Sequence, residues 1–206
     1  MKRLLAALVA VAAMLVGAVV STAPASARTT DYPATVTGKR FWTGSVCMAV
    51  GDTTIDAPYI AQLWNNATPG TIMGITASNN CVNAGYTPST RFTIDTYSAN
   101  DGTCGYLANP DGSKPVSASY YNGMWRYTNN PVVWVNKYGS CWSNASRRAH
   151  AVSMMIGFVM GLKPLNSTGY NSRVMNQTSF SYDNVPYPET YSGTLLGNLY
   201  AGEYGG

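Results

Sequence analysis

The sequence predicts one α+β domain, with helices packed against a sheet, and three observations carry that expectation. Strand-like and helix-like segments follow one another as strand, helix, several strands, long helix, irregular loop and short last helix. After the first 27 residues the chain is long enough for one domain with a true core, at 179 residues. All four cysteines, Cys47, Cys81, Cys104 and Cys141, lie in that part.

The N-terminus reads as a secretion signal over residues 1–27. Lys2 and Arg3 supply the charged start, Leu4 to Val20 an apolar run, and Ala25-Ser26-Ala27 an A-x-A cleavage site. The expected mature domain spans 28–206, and no later segment approaches the ~20 apolar residues of a membrane span. The mature part carries 11 basic and 9 acidic residues. So weak a charge, with no basic cluster beyond Arg147-Arg148, argues against a nucleic-acid partner. An even cysteine count in an oxidising compartment implies two disulfides, with three connectivities open. Pairing sequence neighbours, Cys47 with Cys81 and Cys104 with Cys141, is preferred and closes loops of about 35 residues.

Arg28 to Thr37 reads as an extended lead-in and Lys39 to Val50 as a first strand. In "DAPYIAQLWNNA" Asp56 can cap a helix, Pro58 suits its first turn, and Ile60, Leu63, Trp64 and Ala67 recur at helical spacing. "TIMGIT" (Thr71 to Thr76) and "TRFTIDTY" (Thr90 to Tyr97) are rich in β-branched and aromatic residues and read as strands. Turn signals at Asn100-Asp101-Gly102 and Asn109-Pro110-Asp111-Gly112 bracket a short segment carrying Cys104. "NPVVWVNKYG" (Asn130 to Gly139) is the strongest later strand, with Val133 and Val135 on one face and Val132 and Trp134 on the other. Ser143 and Asn144 then cap a long helix over about Ala145 to Leu162, which Pro164 must end. A short last helix is expected from Ser192 to Ala201.

The long helix is apolar on nearly every side: Met154, Phe158 and Gly161 share one stripe, and Met155, Ile156, Val159, Met160 and Leu162 fill the rest. Such a helix belongs in a core. "MMIGFVMGLKP" (Met154 to Pro164) followed by "NSRVMN" (Asn171 to Asn176) also resembles the layout of metzincin zinc peptidases, whose H-E-x-x-H-x-x-G-x-x-H helix is followed by a loop and a methionine turn beneath the metal. Gly161 takes the bend glycine and Met175 the turn methionine. The nearest likeness is to secreted bacterial matrixin-like proteins. It implies a zincin-like fold: a twisted mixed sheet, a long central helix, a Met-turn and a C-terminal helix. "IAQLWNNA" resembles the first helix of that clan and "TYSGTLLGNLYAG" its closing helix. "NPVVWVNKYG" resembles the edge strand of its substrate cleft, which makes Val133, Trp134, Val135 and Asn136 the expected cleft edge.

Carried over position by position, every chemical group is lost. Met154 stands at the first histidine, Met155 at the glutamate, Phe158 at the second histidine and Pro164 at the third. A shifted frame keeps His150 as first ligand but puts Ala151 at the glutamate and Met154 and Met160 at the other histidines. Hydrolytic zinc needs three nitrogen or carboxylate donors and a base for its water. The chain has one histidine. Methionine thioethers are soft donors suited to Cu(I), not replacements for imidazole on zinc. Neither a metal nor another cofactor is expected, and no catalytic residue is assigned.

Other chemistries have thinner support. No G-x-S-x-G elbow accompanies His150, which reads as a surface residue one turn before a buried segment. Glycosidase pairs could be sought in Asp95 with Asp101, or Asp183 with Glu189, but strand and turn carboxylates usually serve turns and surface pairs, and carboxylate separation is invisible in a sequence. The expectation is a secreted, extracellular bacterial pseudo-metalloprotease, monomeric and free of the membrane after signal cleavage. Its retained cleft would bind a peptide or protein. The rival readings are a hydrolase using an unrecognised site and a cell-surface protein that contacts glycans through its aromatic surface.

Overall fold

The computed structural model describes residues 39–68, 70, 74–122, 124–163, 174–175 and 187–201. The signal and lead-in readings, Thr71 to Met73, Pro164, Asn171 to Arg173, Asn176 and Asp183 lie outside the described residues.

Val46, Met48, Phe92, Ile94, Val133 and Val135 alternate with less apolar neighbours along their strands, and all six are fully buried. That period of two turns one face of a sheet inward. The strands are β1 (Lys39–Arg40), β2 (Ser45–Val50), β3 (Gly74–Ala77), β4 (Arg91–Tyr97), β5 (Gly105–Ala108), β6 (Ala118–Tyr121), β7 (Met124–Tyr127) and β8 (Val132–Asn136). They form two sheets, not the single one expected. Five strands run in the order β3-β2-β4-β8-β5, all neighbours parallel except the antiparallel β5–β8 pair, and three more run β1-β7-β6. The first strand read from Lys39 to Val50 is therefore divided. A bend over Trp42 to Gly44 sends β1 to pair with β7 and β2 to pair with β3 and β4.

Helix α1 (Ala57–Ala67) buries Ala57, Ile60, Ala61 and Trp64 on one stripe. Asp56 stands at its N-cap, yet its side chain makes no capping bond, and Pro58 presets the first turn. Helix α2 (Ala145–Val159) packs on β8, β5 and α1, and α3 (Thr190–Ala201) packs on α1. The Asn144 side chain accepts the Arg147 N–H at 2.9 Å and caps α2 as expected; the neighbouring Ser143 hydroxyl instead donates to the Ser140 carbonyl. The architecture is α+β, with a mixed sheet covered by helices.

Two disulfides brace the sheet. Cys47–Cys81 ties β2 to the turn after β3, and Cys104–Cys141 ties the approach to β5 to the 3-10 turn before α2, with Cα separations of 5.7 and 5.5 Å. Asp52, just past β2, accepts from the Thr96 hydroxyl, the Thr54 N–H and the Lys137 ammonium, joining the ends of β2, β4 and β8. These donors hold its carboxyl well below the usual range, the Thr96 hydroxyl foremost. Among the described residues no helix is long and apolar enough to cross a membrane.

Candidate functional site

The site grows from α2 and what is packed beneath it. His150 is buried, not on the surface, and its Nε2 lies 2.8 Å from the Val174 carbonyl oxygen. A carbonyl can only accept, so Nε2 carries the proton in that bond. The Val174 N–H in turn donates to Glu189 Oε2 at 3.0 Å, and the Ser192 N–H donates to Glu189 Oε1 at the start of α3. The turn carrying Val174 and Met175 is thus held on one side by the chain's lone histidine and on the other by the carboxylate at the head of α3. This burial overturns the reading of His150 as a surface residue, and its bond to the Val174 carbonyl makes it a strut.

Met175 is fully buried beneath α2. A Cβ placed on Gly157 would stand 2.6 Å from Met175 Sδ and 2.7 Å from Trp64 Cζ2, so only glycine lets the turn and α1 come this close. Trp64 Nε1 donates to the Ser153 carbonyl at 3.0 Å, fixing α1 against the same stretch. The helix ends at Val159, three residues earlier than expected, because Gly161 adopts φ +115°. Its N–H reaches the Phe158 carbonyl and the Leu162 N–H reaches the Gly157 carbonyl at 3.0 Å, the paired bonds of a Schellman cap. The end of the helix is set by this glycine, before Pro164 is reached.

Met154 and Met155 are buried to within 2 % of full. Met155 lies against the last strand of the sheet, its Cγ and Sδ each 3.1 Å from where a Cβ on Gly105 would be. Phe158 differs: it is partly buried and lines a cavity of about 400 Å³ shared with Lys39, Gly105, Leu107, Val116 and Tyr127. Lys39 Nζ donates to the Val116 carbonyl at 2.9 Å, closing one wall.

The edge of the sheet beside this cavity is β5, not β8. Strand β8 has β4 on one side and β5 on the other, so Val133, Trp134, Val135 and Asn136 do not form a free edge. Val133 and Val135 face the core. Trp134 lies on the opposite face, in a row with Tyr106 and Tyr97. Asn136 donates to the carbonyls of Ala99 and Thr103, holding the loop that leads into β5. A strongly apolar run reads equally well as an interior strand, which explains the misplacement. In β5 the Asn136 N–H to Cys104 carbonyl bond sets the phase: Cys104, Tyr106 and Ala108 address β8, and the backbone N–H and C=O of Gly105 and Leu107 point outward. Among the described residues no strand covers that side.

The carboxylates considered for acid–base work have other roles. Asp95 accepts from the Thr96 N–H at 2.7 Å, Asp101 from Thr103, Tyr97 and Asn136 in its turn, and Glu189 from α3 and the Val174 turn. Among the described residues no three His, Cys, Asp or Glu side chains are grouped to hold a metal ion. The hairpin β6–β7, which brings Tyr127 to the cavity, was not expected from the sequence: "ASYYNGMWRY" alternates only weakly, though Asn122-Gly123 is a hairpin signal. No protein-family model matches the chain, and no curated protein matches it.

Proposed function

We propose that this is a secreted, catalytically inactive, metzincin-like protein that binds an extended peptide segment along β5, with one apolar side chain of the peptide seated in the cavity beside Phe158. The observation that carries the reading is the junction of three features: the outward backbone groups of Gly105 and Leu107, the cavity walled by Phe158, and the buried Met155 packed against Gly105. A sheet edge binds an extended chain through main-chain hydrogen bonds, and a neighbouring pocket selects its side chains. No metal is needed for that. The resemblance to metzincins is supported by the buried methionine turn under Gly157 and by the bend at Gly161. Methionine adapts its shape to irregular space, so two of them can fill what a metal and its ligands would occupy.

The test is binding of fluorescein-labelled unstructured peptides with a single central Leu or Phe, read by anisotropy. Leu107→Pro removes an outward N–H while leaving the β5–β8 ladder bonds in place, and proline is tolerated at such edge positions. It should weaken binding at least tenfold without loss of fold, and Phe158→Arg should do the same by filling the cavity. Binding unchanged in both variants would refute the reading. A second reading, glycan contact, has its own observation: Trp42, Tyr120, Tyr121 and Trp125 are exposed together around the small sheet, as the ring pairs Trp42–Tyr121 and Tyr120–Trp125 show. It calls for a change in tryptophan fluorescence on adding polysaccharide.

A further inference from the structure

The small sheet sets two arginines side by side. The parallel pairing of β1 with β7 places Arg40 opposite Arg126. Like charges across a strand pair repel, and burial sharpens the cost. Arg40 is only 4 % exposed, and its Nε and Nη1 are buried without a hydrogen-bond partner. Arg126 spends Nη1 on the Phe41 carbonyl at 3.0 Å, but its Nε is likewise buried and unpartnered. Among the described residues no carboxylate reaches either group. Burial, and then the neighbouring Arg126, lowers the affinity of Arg40 for its own proton.

The surroundings orient these donors without neutralising them. The Arg40 guanidinium lies 5.5 Å from the centre of the Tyr200 ring, and Tyr200 is itself fixed by donating to the Met160 carbonyl at 3.0 Å. On the outer side the Arg126 guanidinium lies 5.9 Å from the Trp42 ring, which is 43 % exposed. Cation–π contacts of this length leave in-plane N–H groups free for an acceptor. Three unpartnered guanidinium nitrogens, two on the buried Arg40 and one on the half-buried Arg126 opposite it, together with two positive charges, match the acceptor oxygens of an anion.

We propose that Arg40 and Arg126 form a binding site for a single oxyanion, of carboxylate or phosphate type, held between the two guanidinium groups beneath Trp42. The site is separate from the β5 cleft and does not depend on how that cleft functions. The anion has two sources: a free ion, or Glu203, three residues beyond Tyr200 in the sequence.

The experiment is thermal unfolding of the mature chain with added inorganic phosphate, against sodium chloride of equal ionic strength, for wild type, Glu203→Gln and Arg126→Gln. A free-ion site gives a saturable rise in melting temperature in the wild type, about 3–6 °C for each tenfold in phosphate above half-saturation. That rise is absent from Arg126→Gln. A rise confined to Glu203→Gln shows that the chain's own carboxylate occupies the site. Should Arg126→Gln fail to fold, Arg126→Lys keeps the charge, loses the fork, and should need at least tenfold more phosphate. Phosphate line broadening in phosphorus NMR reads binding independently of stability. No saturable effect in either the wild type or Glu203→Gln, by both methods, overturns the proposal.

Discussion

Replacing Met155 by glutamate puts a carboxylate where the proposed metzincin likeness would have one, and the structure sets what that costs. Met155 is 2 % exposed and pressed against Gly105. Removing its side chain from the core forfeits roughly 1.5–3 kcal/mol of burial. A buried glutamate adds a second penalty that depends on pH. Its carboxyl titrates near 4.3 in the unfolded chain and well above that in the fold, where desolvation disfavours the charge. Below pH 4 both states are protonated and this penalty is absent. Above it, stability falls by about 1.4 kcal/mol per pH unit until the folded-state value is passed, so the loss by pH 7 is about 3–4 kcal/mol. Met155→Gln is the control, since it loses the same packing and does not titrate. Urea unfolding at pH 4 and pH 7, followed by the emission of the buried Trp64, reads the difference between the two variants. That difference should be small at pH 4 and about 3–4 kcal/mol at pH 7. Equal stabilities at pH 7, within about 0.5 kcal/mol, would show a solvated position and refute the proposal that this helix serves as core.

Three further outcomes follow from single contacts. Gly161→Ala forces φ +115° on an L-residue and sets a Cβ 2.8 Å from Leu199 Cδ2; it should destabilise by about 1–3 kcal/mol in the same urea assay. Cys104→Ser with Cys141→Ser opens a loop of sequence separation 37 and should cost about 3–4 kcal/mol, with amide hydrogen exchange rising first in β5. Asp52, with its carboxyl held low by Thr96, Thr54 and Lys137, contributes stability that is present above pH 4 and lost as pH falls through its folded-state value. Asp52→Asn should flatten the acid limb of a stability–pH curve, and an unaltered limb would remove Asp52 from that role.

Much of the fold was legible because local signals and tertiary packing agree. Pro58 and the Ile60–Trp64 spacing yield α1, Asn144 starts α2, and "TRFTIDTY" forms β4 to within one residue. The pairing of neighbouring cysteines is also what the structure contains. What escaped depends on relations between distant segments. An apolar run such as "VVWV" is the same whether a strand is interior or at an edge, so only its partners β4 and β5 could assign it. The half-polar "GYLA" of β5 carries no periodic signal, although it forms the edge beside the cavity. His150 looked exposed because its partner, the Val174 carbonyl, lies 24 residues away. Gly161 shows the converse: a glycine just after an apolar helical run is a local stop signal, and the structure ends the helix there through a positive φ that other residues avoid.

The zinc content of the purified mature protein bears most directly on the proposal that this is a metzincin-like helix without its chemistry. After loading with zinc and exhaustive dialysis, elemental mass spectrometry should find less than about a tenth of an equivalent per chain, since among the described residues no donor set is grouped to hold the ion. One tightly retained equivalent, lost on changing His150, would contradict this, returning that histidine to a metal site and reopening the case for a hydrolase.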